Sequence, residues 1–162
     1  NTVQVNAIRV NVSTAASAGN AMRFNIYDGN NETYNTDPDN AYYYWPRTKL
    51  LDSDWIFDTT STGIKSITLS PPLTLDRGKM YWFAMQNNNT GTNKPSLSAC
   101  TTGQQFVLGQ TASAFNTDHY ALMITGVAYG PLPNDISPSY ASLTTSSLFA
   151  PSVQIQYTYL IS

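Results

Sequence analysis

Apolar and polar residues alternate strictly along the segment Ala7-Ile8-Arg9-Val10-Asn11-Val12-Ser13. Because successive side chains of a β-strand point to opposite faces, Ile8, Val10 and Val12 would share one face and the polar residues the other. The same alternation returns in the segment Ala21-Met22-Arg23-Phe24-Asn25-Ile26-Tyr27. Both segments therefore predict β-strands with one buried face.

Further short runs of this kind follow at intervals of about ten residues, separated by turns rich in Gly, Pro and Asn. The predicted strands lie at 54–58, 63–69, 73–75, 80–85, 97–101, 105–109, 119–125 and 153–159. Ser70-Pro71-Pro72 interrupts the pattern, since proline cannot donate to a ladder. The run 80–85 is almost wholly apolar, which is typical of a strand buried on both faces.

No segment predicts a long amphipathic helix. The succession of short strands predicts an all-β fold, an antiparallel β-sandwich or jelly roll, with a closed barrel as the alternative. The 162 residues are predicted to form a single domain, 1–162, large enough to bury its own hydrophobic core. The chain begins at Asn1 without a methionine, so we expect a processed chain or a fragment.

The composition leaves little material for catalysis. Charged residues make up 11% of the chain, which has one cysteine, Cys100, and one histidine, His119. Active sites usually combine several acids, bases, nucleophiles or metal ligands, so we predict no enzyme, no catalytic residues and no cofactor. A net charge of −2 gives no basic surface for nucleic acid, and no apolar run is long enough to insert into a membrane.

Several landmarks follow one another along most of the chain: Ile8-Arg9-Val10, Arg23-Phe24-Asn25-Ile26-Tyr27-Asp28-Gly29-Asn30, Tyr44-Trp45-Pro46, Thr60-Ser61-Thr62-Gly63-Ile64-Lys65, Tyr81-Trp82-Phe83-Ala84, Gly130-Pro131-Leu132-Pro133 and Ala150-Pro151-Ser152-Val153. In this order they resemble a module found near the C-termini of phage tail fibres and related virion appendages. The resemblance implies a β-sandwich at the outer end of a fibre, often trimeric, which touches the host surface. It supplies no catalytic residues, and the excursion 30–48 is longer and more aromatic than the usual loop.

The strongest candidate binding residues are four consecutive aromatics, Tyr42, Tyr43, Tyr44 and Trp45. Aromatic rings stack on the apolar faces of sugars, and tyrosine hydroxyls can bond to sugar hydroxyls. In an extended segment these four side chains cannot all point inward. Two interpretations follow: the aromatic run recognises a glycan or a protein, or it packs in the core or between subunits.

Four acidic residues surround the same excursion: Asp28, Glu32, Asp37 and Asp39. Flexible loops with several oxygen ligands can hold calcium, but the spacing does not match an EF-hand. We predict solvated turn carboxylates and no metal site, with a weak calcium site and a glycosidase acid pair as alternatives.

The leading hypothesis is a non-enzymatic phage virion module, located at the extracellular surface of the virion, which binds a host-surface glycan or protein. One alternative is a capsid-decorating or appendage-assembly protein that contacts other virion proteins. Another is a carbohydrate-binding module of a secreted bacterial hydrolase. These hypotheses differ in the partner that the sandwich contacts.

The C-terminal run 153–161 contains no charged residue. Val153, Ile155, Tyr157 and Tyr159 alternate onto one face of the predicted strand. A strand without charge is usually central in its sheet or covered by a partner. Together with the resemblance, this pattern predicts a homo-oligomer, a trimer.

Overall fold

The computed structural model describes residues 2–29, 46–76, 79, 81–88, 92–98, 121–124, 128–136, 143–146 and 153–160. These ranges contain β-strands and no helix, and hence no helix that could cross a membrane. The strands are β1 (Val3–Thr14), β2 (Ala21–Asp28), β3 (Thr48–Lys49), β4 (Trp55–Asp58), β5 (Gly63–Leu75), β6 (Tyr81–Asn87), β7 (Ser96–Leu97), β8 (Ala121–Ile124), β9 (Leu143–Ser146) and β10 (Val153–Tyr159). The predicted all-β class is confirmed.

Each of the two four-stranded antiparallel sheets has one central strand, with which the other strands pair. In sheet A, β1 pairs with β5 along one edge and with β10 and β7 along the other. In sheet B, β2 pairs with β3, β4 and β6. Strands β8 and β9 pair with each other. The two sheets pack together as a β-sandwich, as predicted.

The hydrophobic core lies between the two sheets. Sheet A contributes buried residues of β1 and β5, and sheet B contributes residues of β2 and β4. The buried members are Val5, Ile8, Val10, Val12, Phe24, Ile26, Trp55, Phe57, Leu69 and Leu75. The alternation in β1 and β2 therefore places its apolar positions as predicted.

Sheet B is buried on its second face as well. In β2, the even-numbered Phe24 and Ile26 enter the core, while Asn25 and Tyr27 are equally buried on the opposite face. Tyr27 and Ile136 form a second cluster there, with Trp82, Ala84 and Leu132 packed against it. The strand with both faces buried is thus β2, the central strand of sheet B.

One prediction for an individual strand was wrong, and another holds for the strand pairing but not for the strand boundaries. Strand β6 is only half-buried, with Phe83 exposed, because in the described part of the chain it pairs with β2 alone. Ser70-Pro71-Pro72 does not end a strand: β5 runs through it, and the Ser70–Pro71 peptide bond is cis. The ladder with β1 shifts register there, so the prolines lie where strand pairing is interrupted.

The two central strands are joined by a turn at residues 15–20, within the stretch 15–21 whose small residues and Gly19 predict a turn. Gly19 has a φ of 78°, in the left-handed region where glycine lacks the steric cost of a side chain. The backbone N–H of Thr59 donates to the Asn20 carbonyl and the Ala16 N–H donates to the Thr59 carbonyl, which ties this turn to the end of β4. The predicted strand 105–109 lies outside the described residues, as does most of 97–101.

Two isoleucines provide a matched test of the core. The side chain of Ile8 is fully buried, whereas Ile64 on the outer face of sheet A is 65% exposed. We expect Ile8→Ala to lower the free energy of unfolding by about 2–5 kcal/mol, because it leaves a cavity. Ile64→Ala should change it by about 1 kcal/mol or less, through strand propensity alone. Urea unfolding measures both, and equal losses would contradict this packing.

Candidate functional site

The structure describes only some of the candidate residues singled out from the sequence. Tyr42, Tyr43, Tyr44 and Trp45 lie outside the described residues, as do Glu32, Asp37 and Asp39, Cys100 and His119. Asp28, the last residue of β2, is half-buried. Of the tryptophans, Trp55 lies in the core, and Trp82 packs half-buried against the second cluster. Among the described residues, no three His, Cys, Asp or Glu side chains gather as metal ligands would.

A buried carboxylate on the outer face of sheet B organises the polar residues around it. The side chain of Asp54 is 3% exposed and lies 3.3 Å from Nη1 of Arg23 and 3.6 Å from Nζ of Lys49. Asn25 donates a 2.9 Å hydrogen bond to one carboxylate oxygen. The backbone N–H of Leu132 donates a 2.8 Å bond to the other. One carboxylate thus has four charged or polar partners from three segments: β2, β3 and residues 128–136.

These partners keep Asp54 ionised. Burial by itself raises the pKa of a carboxyl group. Here the hydrogen bonds from Leu132 and Asn25, the charge of Lys49 and the bond from Arg23 outweigh burial, and they hold the pKa of Asp54 below its ordinary value. Because every partner is a donor, the ionised carboxylate is the form that fits the cluster.

The cluster fastens residues 128–136, here called the strap, onto sheet B. The Tyr27 hydroxyl donates to the Pro133 carbonyl, and Lys49 Nζ donates to the Leu132 carbonyl. Backbone bonds between Lys49 and Asn134 and between Ile136 and Arg47 continue this attachment. Burial raises the pKa of the Tyr27 hydroxyl, as does the negative charge of Asp54, so the hydroxyl keeps its proton.

The far end of the strap is held by different contacts. The Gln86 side chain donates to the Ala128 carbonyl and accepts from the Gly130 N–H. The guanidinium of Arg23 lies 5.1 Å from the ring centroid of Tyr129, a cation–π distance. Since the strap covers these polar groups, we interpret the cluster as a structural anchor for it.

A more open group of side chains lies on the outer face of sheet A. Near the end of β1, the neighbour along one edge changes from β10 to β7. A groove with a volume of about 270 Å³ lies at this junction. Its lining residues come from strands β1, β5 and β10 and from Ser98, which directly follows β7: Arg9, Val10, Asn11, Ile64, Ser98 and Gln154.

The groove combines polar groups with one apolar surface. Arg9 lies between Gln154 and Ser66 in the ladder, so its guanidinium can donate several hydrogen bonds within reach of the Gln154 amide. Asn11 Nδ2 donates a 2.8 Å bond to the Ser98 hydroxyl, which holds both side chains in place. Ile64, on the neighbouring strand, offers an exposed aliphatic side chain. Its described lining residues include no carboxylate, thiol or imidazole.

Sequence reasoning identified the outward direction of Arg9 and Asn11 but did not bring them together with the other lining residues. The alternation of β1 was the available signal, and the exposed side chains of Arg9 and Asn11 agree with it. Ser98 and Gln154 reach the groove because their strands flank the same edge of β1. That adjacency depends on sheet order, which local alternation does not encode.

No family model matches the chain, and no curated protein or solved structure is significantly similar to it. The resemblance to phage tail-fibre modules therefore rests on the sequence landmarks alone. The groove must be interpreted from its own chemistry.

The anchor at Asp54 can be tested by an isosteric substitution. Asp54→Asn should lower the free energy of unfolding by about 2–4 kcal/mol, because Arg23 and Lys49 would keep their charges without the carboxylate. The exposed Asp52→Asn provides the matched control, with a change of about 0.5 kcal/mol or less. Denaturant unfolding near pH 7 compares the two variants, and equal losses would contradict the anchor.

The same carboxylate predicts a pH dependence. Its pKa is lower in the folded protein than in the unfolded chain, where it is about 3.9. The stabilisation is complete well above that pH and is lost as the pH falls through the lower pKa of the folded state. The difference in unfolding free energy between wild type and Asp54→Asn should therefore shrink on acidification below about pH 4. A constant difference down to pH 2 would contradict this role.

Proposed function

We propose that this chain is a non-enzymatic binding module of a phage virion that recognises a glycan on the host surface. The observation that carries the proposal is the groove around Arg9, whose amide, hydroxyl and guanidinium groups lie beside the exposed Ile64. The β-sandwich fold and the order of the sequence landmarks are compatible with such a module. The groove's own chemistry supports binding rather than catalysis, since its described lining holds no general acid or base that could activate the Ser98 hydroxyl.

The polar groups suit a sugar ligand. Sugar hydroxyls both donate and accept hydrogen bonds, and the amides of Asn11 and Gln154 can do the same. Ile64 can pack against the C–H groups of a sugar ring and exclude water from it. The bond between Asn11 and Ser98 fixes part of the groove before a ligand arrives, which reduces the entropy lost on binding.

Arg9 favours an acidic glycan over a neutral one. Among the described residues, its guanidinium makes no hydrogen bond or ion pair, and it is the charged group of the groove. A guanidinium matches the geometry of a carboxylate, to which it can donate two parallel hydrogen bonds. We therefore expect the ligand to carry a carboxylated sugar. The aromatic run Tyr42, Tyr43, Tyr44 and Trp45 stays a second predicted contact surface.

A second candidate function is structural, as a capsid-decorating or appendage-assembly protein. The exposed, uncharged strand β10 favours it, because such an edge is suited to pairing with another chain. The location of the protein on the virion separates the two functions. Labelling at the tail tip would favour receptor binding, whereas labelling over the capsid faces would favour decoration.

Glycan binding is tested with the purified chain on an array of neutral and acidic bacterial polysaccharides. We expect binding to acidic polysaccharides and loss of binding when their carboxyl groups are reduced. Arg9→Ala should weaken binding about tenfold or more, because it removes a charge-assisted hydrogen bond. Thr68→Ala, at an exposed position of β5 outside the groove, is the matched control and should bind normally.

Two results would contradict the proposal in different ways. Absence of binding to any polysaccharide or to host cells would remove the recognition function. Binding that survives Arg9→Ala and Ile64→Ala but is lost in the double variant Tyr43→Ala, Trp45→Ala would move the site from the groove to the aromatic run.

A further inference from the structure

Strand β10 exposes residues that belong to the core-facing side of sheet A. In the ladder, Ile155, Tyr157 and Tyr159 lie beside Ile8, Val5 and Val3 of β1, whose side chains point toward the other sheet. The three β10 residues are nevertheless 37%, 45% and 59% exposed, respectively. Among the described residues, sheet B therefore does not cover this row. The rings of Tyr157 and Tyr159 pack against each other, with centroids 5.1 Å apart.

The backbone of β10 is also open along one edge. It pairs with β1 on one side, and no described strand pairs with its other side. The opposite edge of sheet A, β5, contains Lys65 and the prolines Pro71 and Pro72. Charges and prolines on an edge strand prevent unwanted pairing. Strand β10 has neither, so it is the edge of sheet A that is better suited to pairing with another strand.

The sequence of β10 is complementary to itself in the antiparallel register that overlaps the whole strand. If two copies pair about a twofold axis at Gln156, Val153 faces Tyr159, Gln154 faces Thr158 and Ile155 faces Tyr157. Every apolar residue then meets an apolar residue, and every polar residue meets a polar one. A shift of the pairing by one residue would place apolar side chains opposite glutamines. Because the strand carries no charge, the pairing brings no like charges together.

We propose that β10 docks against β10 of a second copy of this chain, as an antiparallel strand pair centred on Gln156. Backbone hydrogen bonds along the pair satisfy the unpaired N–H and C=O groups of both strand edges. The rows of Ile155, Tyr157 and Tyr159 from the two copies then form one continuous surface. The contact makes one continuous sheet from two copies of sheet A. This contact is twofold and thus differs from the threefold assembly expected from the tail-fibre resemblance.

The pairing has a consequence for binding, which rests on the proposed glycan function. A twofold axis perpendicular to the joined sheet leaves both outer faces on the same side. The two Arg9 grooves then open toward the same surface. A repeating polysaccharide could engage both, so the dimer would bind an immobilised glycan more tightly than a monomer without any new contact in the groove.

The experiment uses multi-angle light scattering over a series of protein concentrations. We expect the wild-type mass to approach twice the chain mass of 17.8 kDa. Gln156→Lys places two lysines opposite each other at the axis and should shift the protein to monomer. Thr74→Lys, at an exposed position of β5, is the matched control and should leave the dimer intact. Thermal unfolding verifies that both variants are folded.

A charge-swap test defines the register. Gln156→Glu alone should also give monomer, whereas an equimolar mixture of Gln156→Lys and Gln156→Glu should restore the dimer mass, because opposite charges then meet at the axis. A wild-type monomer would overturn the proposal, as expected if another part of the chain covers β10. A trimer, or a dimer insensitive to Gln156→Lys, would also overturn it. None of these results depends on glycan binding, which is measured separately with the Arg9→Ala variant.

Discussion

The packing of β1 against β2 is the contact on which the rest of the structure depends. Each strand is central in its sheet, and the apolar face of each is directed toward the other sheet. Fully buried side chains such as Ile8 and Phe24 fix both the distance between the sheets and the face that each sheet presents outward. A shift of either strand by one residue would turn its apolar side chains to the outer face and destroy the core. The outer surfaces are thus set by the same alternation that builds the interior.

The outer faces of the two sheets differ because, within the described ranges, sheet B is covered on both sides and sheet A is not. Its polar residues gather around Asp54, and the strap adds hydrogen bonds to Asp54 and Lys49 through the backbone of Leu132. A buried carboxylate is costly unless it is paired and hydrogen-bonded, and Arg23, Lys49 and Asn25 meet both needs. The anchor therefore makes attachment of the strap dependent on one ionised side chain.

Sheet A presents two surfaces of opposite character. Its outer face carries the polar groove around Arg9, while the core-facing side of its edge strand β10 leaves Ile155 and two tyrosines exposed. A polar groove suits a hydrophilic ligand, and an uncharged apolar edge suits another protein chain. Recognition and self-association would therefore use neighbouring parts of one sheet that share Gln154, while Arg9 lies only in the groove and Gln156 only in the strand pair.

Local alternation in the sequence was sufficient to determine the all-β class, the inward faces of β1 and β2, the turn at Gly19 and the position of the C-terminal strand. These features follow from residue spacing along a single strand. Tertiary structure decided which strands become neighbours. It thereby formed the groove, where Ser98 and Gln154 approach Arg9 from distant parts of the chain. It also decided that Asn25 and Tyr27 are buried, because the strap covers the face that alternation alone assigns to solvent. A sequence pattern records the period of a strand, whereas burial depends on what packs against each face.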